Sequence, residues 1–213
     1  MTTLTDIPTL IDELAAVSGT ERLFNPYHGG GEKAAICRDN LRRYLEQMQA
    51  QQPRVLLVSE AYGYRGARLT GVPLTSERVM LAGVEKFGLF GAGYRQTSEA
   101  ENGVSENTAS IVWAALVEHA GAAPLLWSSL PFHPHPAGNP DKNRAPTETE
   151  RRLGLPFLEA VHGMFEVKLI LGVGRKAQAT LDELGWPNTQ LRHPSRGGKP
   201  EFVAGLIAAL DSL

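Results

Sequence analysis

Arg54 to Arg78 reads RVLLVSEAYGYRGARLTGVPLTSER, and this stretch decides how the rest of the chain is read. Four apolar residues, Val55 to Val58, have the length and β-branched content of a short buried strand. Ser59 and Glu60 bring polar groups to its end. A loop rich in glycine follows (Gly63, Gly66, Gly71), and Thr75 or Ser76 is placed to cap a new helix. In an open α/β sheet, ligands bind beyond the carboxyl ends of the strands. A carboxylate there, followed by small and aromatic residues, marks a candidate site.

Elements on either side follow from spacing. Ile7 to Val17 repeats apolar residues at helical intervals, and so does Ala34 to Gln51, which Pro53 ends. Between them Asn25-Pro-Tyr-His-Gly-Gly-Gly31 is a loop, with Tyr27 and His28 as possible ligand contacts. Downstream, helices are expected over Ser76–Phe87 and Ser105–His119, with a polar, solvated segment Thr97–Gly103 between them. His119 reads as a cation at a helix end. Leu125 to Trp127 form a second buried strand running into Ser128 and Ser129. Thr147 and Glu150 make a capping box. The helix they open is expected to break at Gly154 and Pro156 and to resume as far as Met164. Lys168–Val173 is a third strand, and Gly172 and Gly174 turn it into a helix, Arg175–Leu184. A short apolar stretch near Leu191, the loop His193–Gly198 and a helix Glu201–Leu210 complete the chain. Helix, strand, Gly-rich loop and helix in that order predict an α/β fold: a three-layer α/β/α sandwich with a short, mainly parallel central sheet.

At 213 residues the chain is read as one domain, residues 1–213. Its formal charge of −2 favours no partner, but Lys168–Lys199 holds six cations against two carboxylates, a basic region suited to a phosphate backbone. The single cysteine, Cys37, leaves no disulfide framework and no Cys-ligated cluster within the chain, and suits a reducing cytoplasm. MTTLTDIPTL has no basic leader, and no run approaches the ~20 apolar residues of a membrane span. No membrane association and no obligate protein partner are expected. His133 and His135 lie on one side of an extended segment, but no third ligand stands at suggestive spacing, so no metal is expected. Gly172 and Gly174 lack the acidic residue that a dinucleotide fold places about twenty positions on.

If the strands are parallel neighbours, the loops Ser59–Thr75, Ser128–His135 and His193–Gly198 converge on one cleft. It would gather Glu60, Ser128, His193 and Ser195 with Tyr62, Tyr64 and Phe132, a set suited to a flat heterocycle near a phosphate. Here the chain resembles the uracil-DNA glycosylase superfamily. SEAYGYRGARLTGVPLTSE is similar to its first motif, often Gly-Glu-Ala-Pro-Gly with a later Gly-x-Pro-Phe. SSLPFHPH is similar to the segment that carries a base-reading Asn. HPSRGG resembles the second motif, a His-Pro-Ser with a DNA-probing loop, and VGRKAQATL resembles the strand–helix unit before it.

The resemblance implies a DNA glycosylase acting on uracil or another deaminated or damaged base, with no cofactor. Glu60 would face the sugar cation or position a water. His193 would stabilise the departing base. Tyr62, Tyr64, Leu74 and Ser128 would bind the base, and Ser195, Arg196, Arg175 and Lys176 would bind DNA. The departures are specific. Ser59 stands for Gly, and Tyr62 for Pro. Ala61 stands where one branch has Asp; an Ala is typical of the iron–sulfur branch, whose four cysteines this chain lacks. Gly63 stands where some members exclude thymine with Tyr. Leu74 replaces a stacking Phe and Ser128 replaces Asn, which loosens the expected base specificity. A DNA-binding protein on the same fold that no longer cuts is the alternative expectation. An unrelated α/β hydrolase is a third, disfavoured by the lack of a Gly-x-Ser-x-Gly elbow.

Overall fold

A computed structural model describes residues 6–213. Met1–Thr5, half of the stretch read as lacking a leader, lie outside them. The helices are α1 (Ile7–Ala16), α2 (Glu32–Gln51), α3 (Ala67–Thr70), α4 (Glu77–Ala82), α5 (Asn107–His119), α6 (Glu148–Met164), α7 (Arg175–Glu183) and α8 (Lys199–Leu210). The strands are β1 (Leu23–Phe24), β2 (Val55–Ala61), β3 (Leu125–Leu130), β4 (His133–Pro134), β5 (Leu169–Val173) and β6 (Thr189–Leu191). Four of them form a parallel sheet in the order β3-β2-β5-β6, and β1 and β4 form a separate antiparallel pair. The fold is α/β, with helices flanking the sheet in a coarse three-layer arrangement. Among the described residues, no helix is long and apolar enough to cross a membrane.

Chain entry to several helices is set by side-chain caps. Asp6 Oδ1 accepts from Thr9 N at 2.8 Å and opens α1. Ser76 caps α4, and the Thr147–Glu150 capping box opens α6. The central strand β2 is apolar on both faces because helices cover both. Val55 through Val58 are buried, and Leu56, Leu57 and Val58 are sealed from solvent.

Register fixes which side chains share a face. Val58 pairs with Trp127 on one side and with Gly172 on the other. A Cβ at Gly172 would lie 3.1 Å from the backbone of Gln178 in α7, so α7 covers this face. Two residues further along, Glu60 and Ser129 stand on that same face. Ser59 and Ser128, paired in register, stand on the opposite one.

Several expectations need correction. β2 and β3 both run further than their apolar cores, so Ser59, Glu60, Ser128 and Ser129 are strand residues, not loop residues. The helix expected over Ser76–Phe87 stops at Gly83, whose φ of 75° ends α4; a 3-10 turn, Glu85–Phe87, follows. The stretch near Leu191 is a fourth strand. Thr97–Gly103 is solvated only in part, with Glu99, Glu101 and Asn102 exposed. Thr97 and Gly103 are buried because the loop wraps the Glu77 carboxylate.

Gly154 and Pro156 do not break α6, which is continuous. Gly154 is there for contact instead: a Cβ would overlap the carbonyl oxygen of Ser129. Close approach of α6 to β3 therefore depends on the missing side chain. Gly154→Ala is expected to lower stability by about 2–3 kcal/mol, the cost of forcing a methyl into a packed interface. Urea unfolding measures it; a change below about 0.5 kcal/mol would contradict the packing.

Candidate active site

A cavity of about 250 Å³ opens at the carboxyl end of β2. Ser59, Glu60, Ala61, Tyr62 and Gly63 supply one wall, and Leu74 and Thr75 another. Glu106 and Thr108 come from the start of α5. Asn143 and Arg144 come from the loop before α6, and His193 and Ser195 from the loop after β6. Glycines and alanines (Ala61, Gly63, Gly66, Ala67) keep the floor open. A Cβ at Gly63 would meet only Asn143 Nδ2, at 3.9 Å.

His193 is held in one protonation state by its neighbours. Ser195 N donates to Nδ1 at 3.2 Å, and a backbone N–H can only donate. Nδ1 therefore carries a lone pair, and the ring proton of the neutral imidazole sits on Nε2. Ser195 Oγ lies 2.8 Å from the same Nδ1 and donates to it as well. Burial pushes the His193 pKa down; the Glu106 carboxylate opposes this, and the Arg192 and Arg196 charges reinforce it. The result is a neutral ring with a fixed N–H donor. Gly174, at φ 82°, lets α7 begin against this ring: a Cβ there would be 3.2 Å from His193 Cβ.

Glu60 is half-buried and its pKa is raised by burial, with Lys176 pulling the other way. A carboxylate so placed is a stronger proton acceptor than one in water. Glu60 and His193 also share an adjoining cavity of about 530 Å³ with Arg175 and Lys176. Four of the six cations in Lys168–Lys199 therefore stand around His193 and Glu60.

The expected residues divide. Glu60, Tyr62, Leu74, His193 and Ser195 line one cavity, and Arg175 and Lys176 line its neighbour. Arg196 lies in the same loop as His193, at φ 52°, beside the site and exposed. Leu74 also has a positive φ, 50°. Such conformations are unfavourable for side-chain-bearing residues and concentrate where function demands them.

Other residues are placed elsewhere. Ser128 is fully buried, does not line the cavity, and its Oγ pairs with Ser59 Oγ at 2.7 Å. Tyr64 donates its backbone N–H to Asn143 Oδ1 at 2.9 Å and borders neighbouring grooves. Phe132 packs edge-on against Phe157 in the core. Tyr27 is also core: its hydroxyl donates to Gly71 O at 2.6 Å and accepts from Tyr62 Oη at 2.6 Å. That bond fixes the Tyr62 ring, so Tyr62 offers the cavity a rigid edge. His28 faces a separate groove. His133 and His135 do lie on one side, with rings stacked 5.5 Å apart. Their nitrogens are engaged with carbonyl oxygens: those of Tyr62 and Pro140 for His133, and that of Pro136 for His135 Nδ1. Among the described residues, no three His, Cys, Asp or Glu side chains are grouped to hold a metal.

Because Ser128 serves Ser59, Ser128→Ala is expected to cost about 1 kcal/mol of stability, a single hydrogen bond, and to leave any ligand selectivity unchanged. Thermal unfolding and ligand competition measure the two effects. Altered selectivity would show that Ser128 reaches the ligand.

Glu106, Asn143 and Arg144 were not singled out by sequence. Glu106 accepts from Thr108 N and Ala109 N at 3.0 and 2.6 Å and so caps α5, a role visible only once the helix start is fixed at Asn107. Arg144 is locked by two bonds to Glu150, at 2.8 and 2.7 Å. Asn143 keeps its Nδ2 free at the cavity mouth, and nothing in a polar loop signals that in advance.

No protein-family model matches the chain, and no curated protein is similar enough to it to count as a relative.

Proposed function

We propose that this protein is a DNA glycosylase of the uracil-DNA glycosylase superfamily, which flips out uracil or another deaminated or damaged base and hydrolyses its N-glycosidic bond in base-excision repair. The observation that carries the reading is the pairing of Glu60 with a neutral, Nε2-protonated His193 across one cavity. A duplex hides the glycosidic bond, so the nucleotide must leave the stack to reach such a site. As the bond to C1′ breaks, negative charge grows on the base and positive charge on the sugar. His193 Nε2–H is a preorganised donor for the first. Glu60 faces the second and accepts the proton of the attacking water. Arg175, Lys176, Arg192 and Arg196 supply charge for phosphates. The reaction needs no cofactor.

Ser128, at the position matching the family's base-reading Asn, is buried outside the cavity lining and bonded to Ser59. That favours a second reading, a protein that binds DNA on this fold without cutting it. Oligonucleotides carrying a single uracil, hypoxanthine or xanthine, in duplex and single-stranded form, are incubated with the protein and then heated in alkali. Strand scission on at least one supports the glycosylase. Binding without scission on all of them supports the second reading. Neither binding nor scission removes both.

A further inference from the structure

Glu60 is a wall between the cavities it shares with His193 and a further space. In front lies the cavity with His193. Behind lies another, of about 380 Å³, between α6 and α7, lined by Glu60, Ser129, Thr147, Glu148, Arg151 and Lys176 among others. Lys176 and Ala179 on its outer wall are exposed, so it reaches solvent without crossing the front cavity.

Two features define the chemistry of this rear space. Ser129 is 2% exposed and its Oγ has no protein partner. Arg151 Nη1 is also buried without a partner, while Nε and Nη2 are held by Glu148 and Glu183. Among the described residues only four buried side-chain polar atoms lack a partner, and these two border the same cavity. Buried hydroxyl and guanidinium groups are normally satisfied by protein or by ordered water. The charges disfavour an anion: Glu60, Glu148 and Glu183 outnumber Arg151 and Lys176. A small neutral molecule that both donates and accepts fits. Water needs only two to four polar partners and far less room than this.

Register brings the two carriers together. Ser59 pairs with Ser128 and Ala61 with Leu130, so Glu60 and Ser129 are neighbours on adjacent parallel strands, facing the same side. We propose that the rear cavity is a water-binding chamber that supplies and orients the attacking water at Glu60, with Ser129 and Arg151 as positioning residues. The inference rests on the glycosylase reading. With DNA over the front cavity and the flipped base inside it, water reaches C1′ from the rear. Its oxygen bonds to C1′, the C1′–N bond breaks, the electron pair leaves with the base, and one water proton passes to Glu60.

The test compares single-turnover base release and DNA affinity for the wild type, Ser129→Ala, Ser129→Thr and Ala179→Leu. Ala179 is exposed on α7 and borders both the chamber and the adjoining cavity of Arg175 and Lys176, so leucine there narrows both without disturbing the core, and Ser129→Ala is the variant specific to the chamber. Expected are losses of about 10-fold in rate for Ser129→Ala and Ala179→Leu, with unchanged affinity and melting temperature, and a rate within about 2-fold of wild type for Ser129→Thr. Wild-type rates in both Ser129→Ala and Ala179→Leu would overturn the supply role while leaving the glycosylase intact. A wild-type protein that releases no base would remove the glycosylase reading and the supply role with it. The chamber is judged separately by a high-resolution crystal structure: ordered water within about 3.2 Å of Ser129 Oγ is expected, and none there would overturn it.

Discussion

Replacing His193 with alanine is expected to slow base release by about 10²–10³-fold, the usual effect of losing one fixed donor to a developing negative charge. Affinity for the same DNA is expected to change little, because in the proposed reaction the ring donates most strongly to charge that appears only as the bond breaks. Ser195 N–H fixes the lone pair on Nδ1, so the proton is on Nε2, and burial keeps the ring neutral. No side chain or water that replaces it arrives with the same orientation. His193 also carries a stability signature. Its folded pKa lies below the ordinary value of about 6.5, so the unfolded chain binds the proton first. Its contribution is therefore whole above that value and falls as pH drops from about 6.5 through the folded pKa. A His193→Ala protein with wild-type excision rates would mean that the donor lies elsewhere.

Glu77→Gln is expected to cost about 3 kcal/mol or more of stability. Glu77 is fully buried in α4. Oε1 accepts from Thr97 N and Ser98 N at 2.8 and 2.9 Å, and Oε2 accepts from Ser98 Oγ and Val104 N at 2.5 and 2.9 Å. A glutamine must turn its NH2 toward one of these sets, and each includes a backbone N–H. A buried donor then faces a donor, and charge-assisted bonds are lost together. Burial pushes the Glu77 pKa up, but the Ser98, Val104 and Thr97 donors outweigh it and hold the carboxyl below its usual range. The folded state thus binds its proton later than the unfolded chain. Stability from Glu77 is present above about 4.3 and is lost as pH falls through the folded pKa. Urea unfolding across that range is expected to show a flatter pH dependence for Glu77→Gln. Unchanged stability would show that the loop 97–104 holds itself. Because this loop leads into Glu106 and α5, its loosening is also expected to disturb the cavity.

Val55–Val58, Leu125–Trp127 and Lys168–Val173 were legible as strands because both faces of a covered sheet demand apolar residues, and composition records that directly. The capping box at Thr147 was legible for a similar reason, since two side chains and one spacing suffice. What lay hidden was long-range. Gly154 looks like a helix breaker along the chain, and only the carbonyl of Ser129 explains why it is glycine. Glu77 looks like a surface carboxylate until a loop twenty residues away closes over it. Ser128 invites comparison with a base-reading amide, yet strand register turns it toward Ser59. Glu60 and His193 stand out in the sequence because polar residues at strand ends are unusual, and both line one cavity. Glu106 and Asn143 were not, because capping and loop residues look alike whether or not a cavity opens beside them.

The proposed function requires one event, the departure of a whole base from an otherwise intact strand. The direct measurement is detection of that free base: the protein is mixed with duplexes carrying one uracil, hypoxanthine or xanthine, the small molecules are separated from the DNA, and both fractions are weighed by mass spectrometry. At least one base is expected to appear in equal amount with an abasic strand, and to disappear with His193→Ala. Intact strands and no free base from any of these duplexes, at protein concentrations that saturate binding, would contradict it.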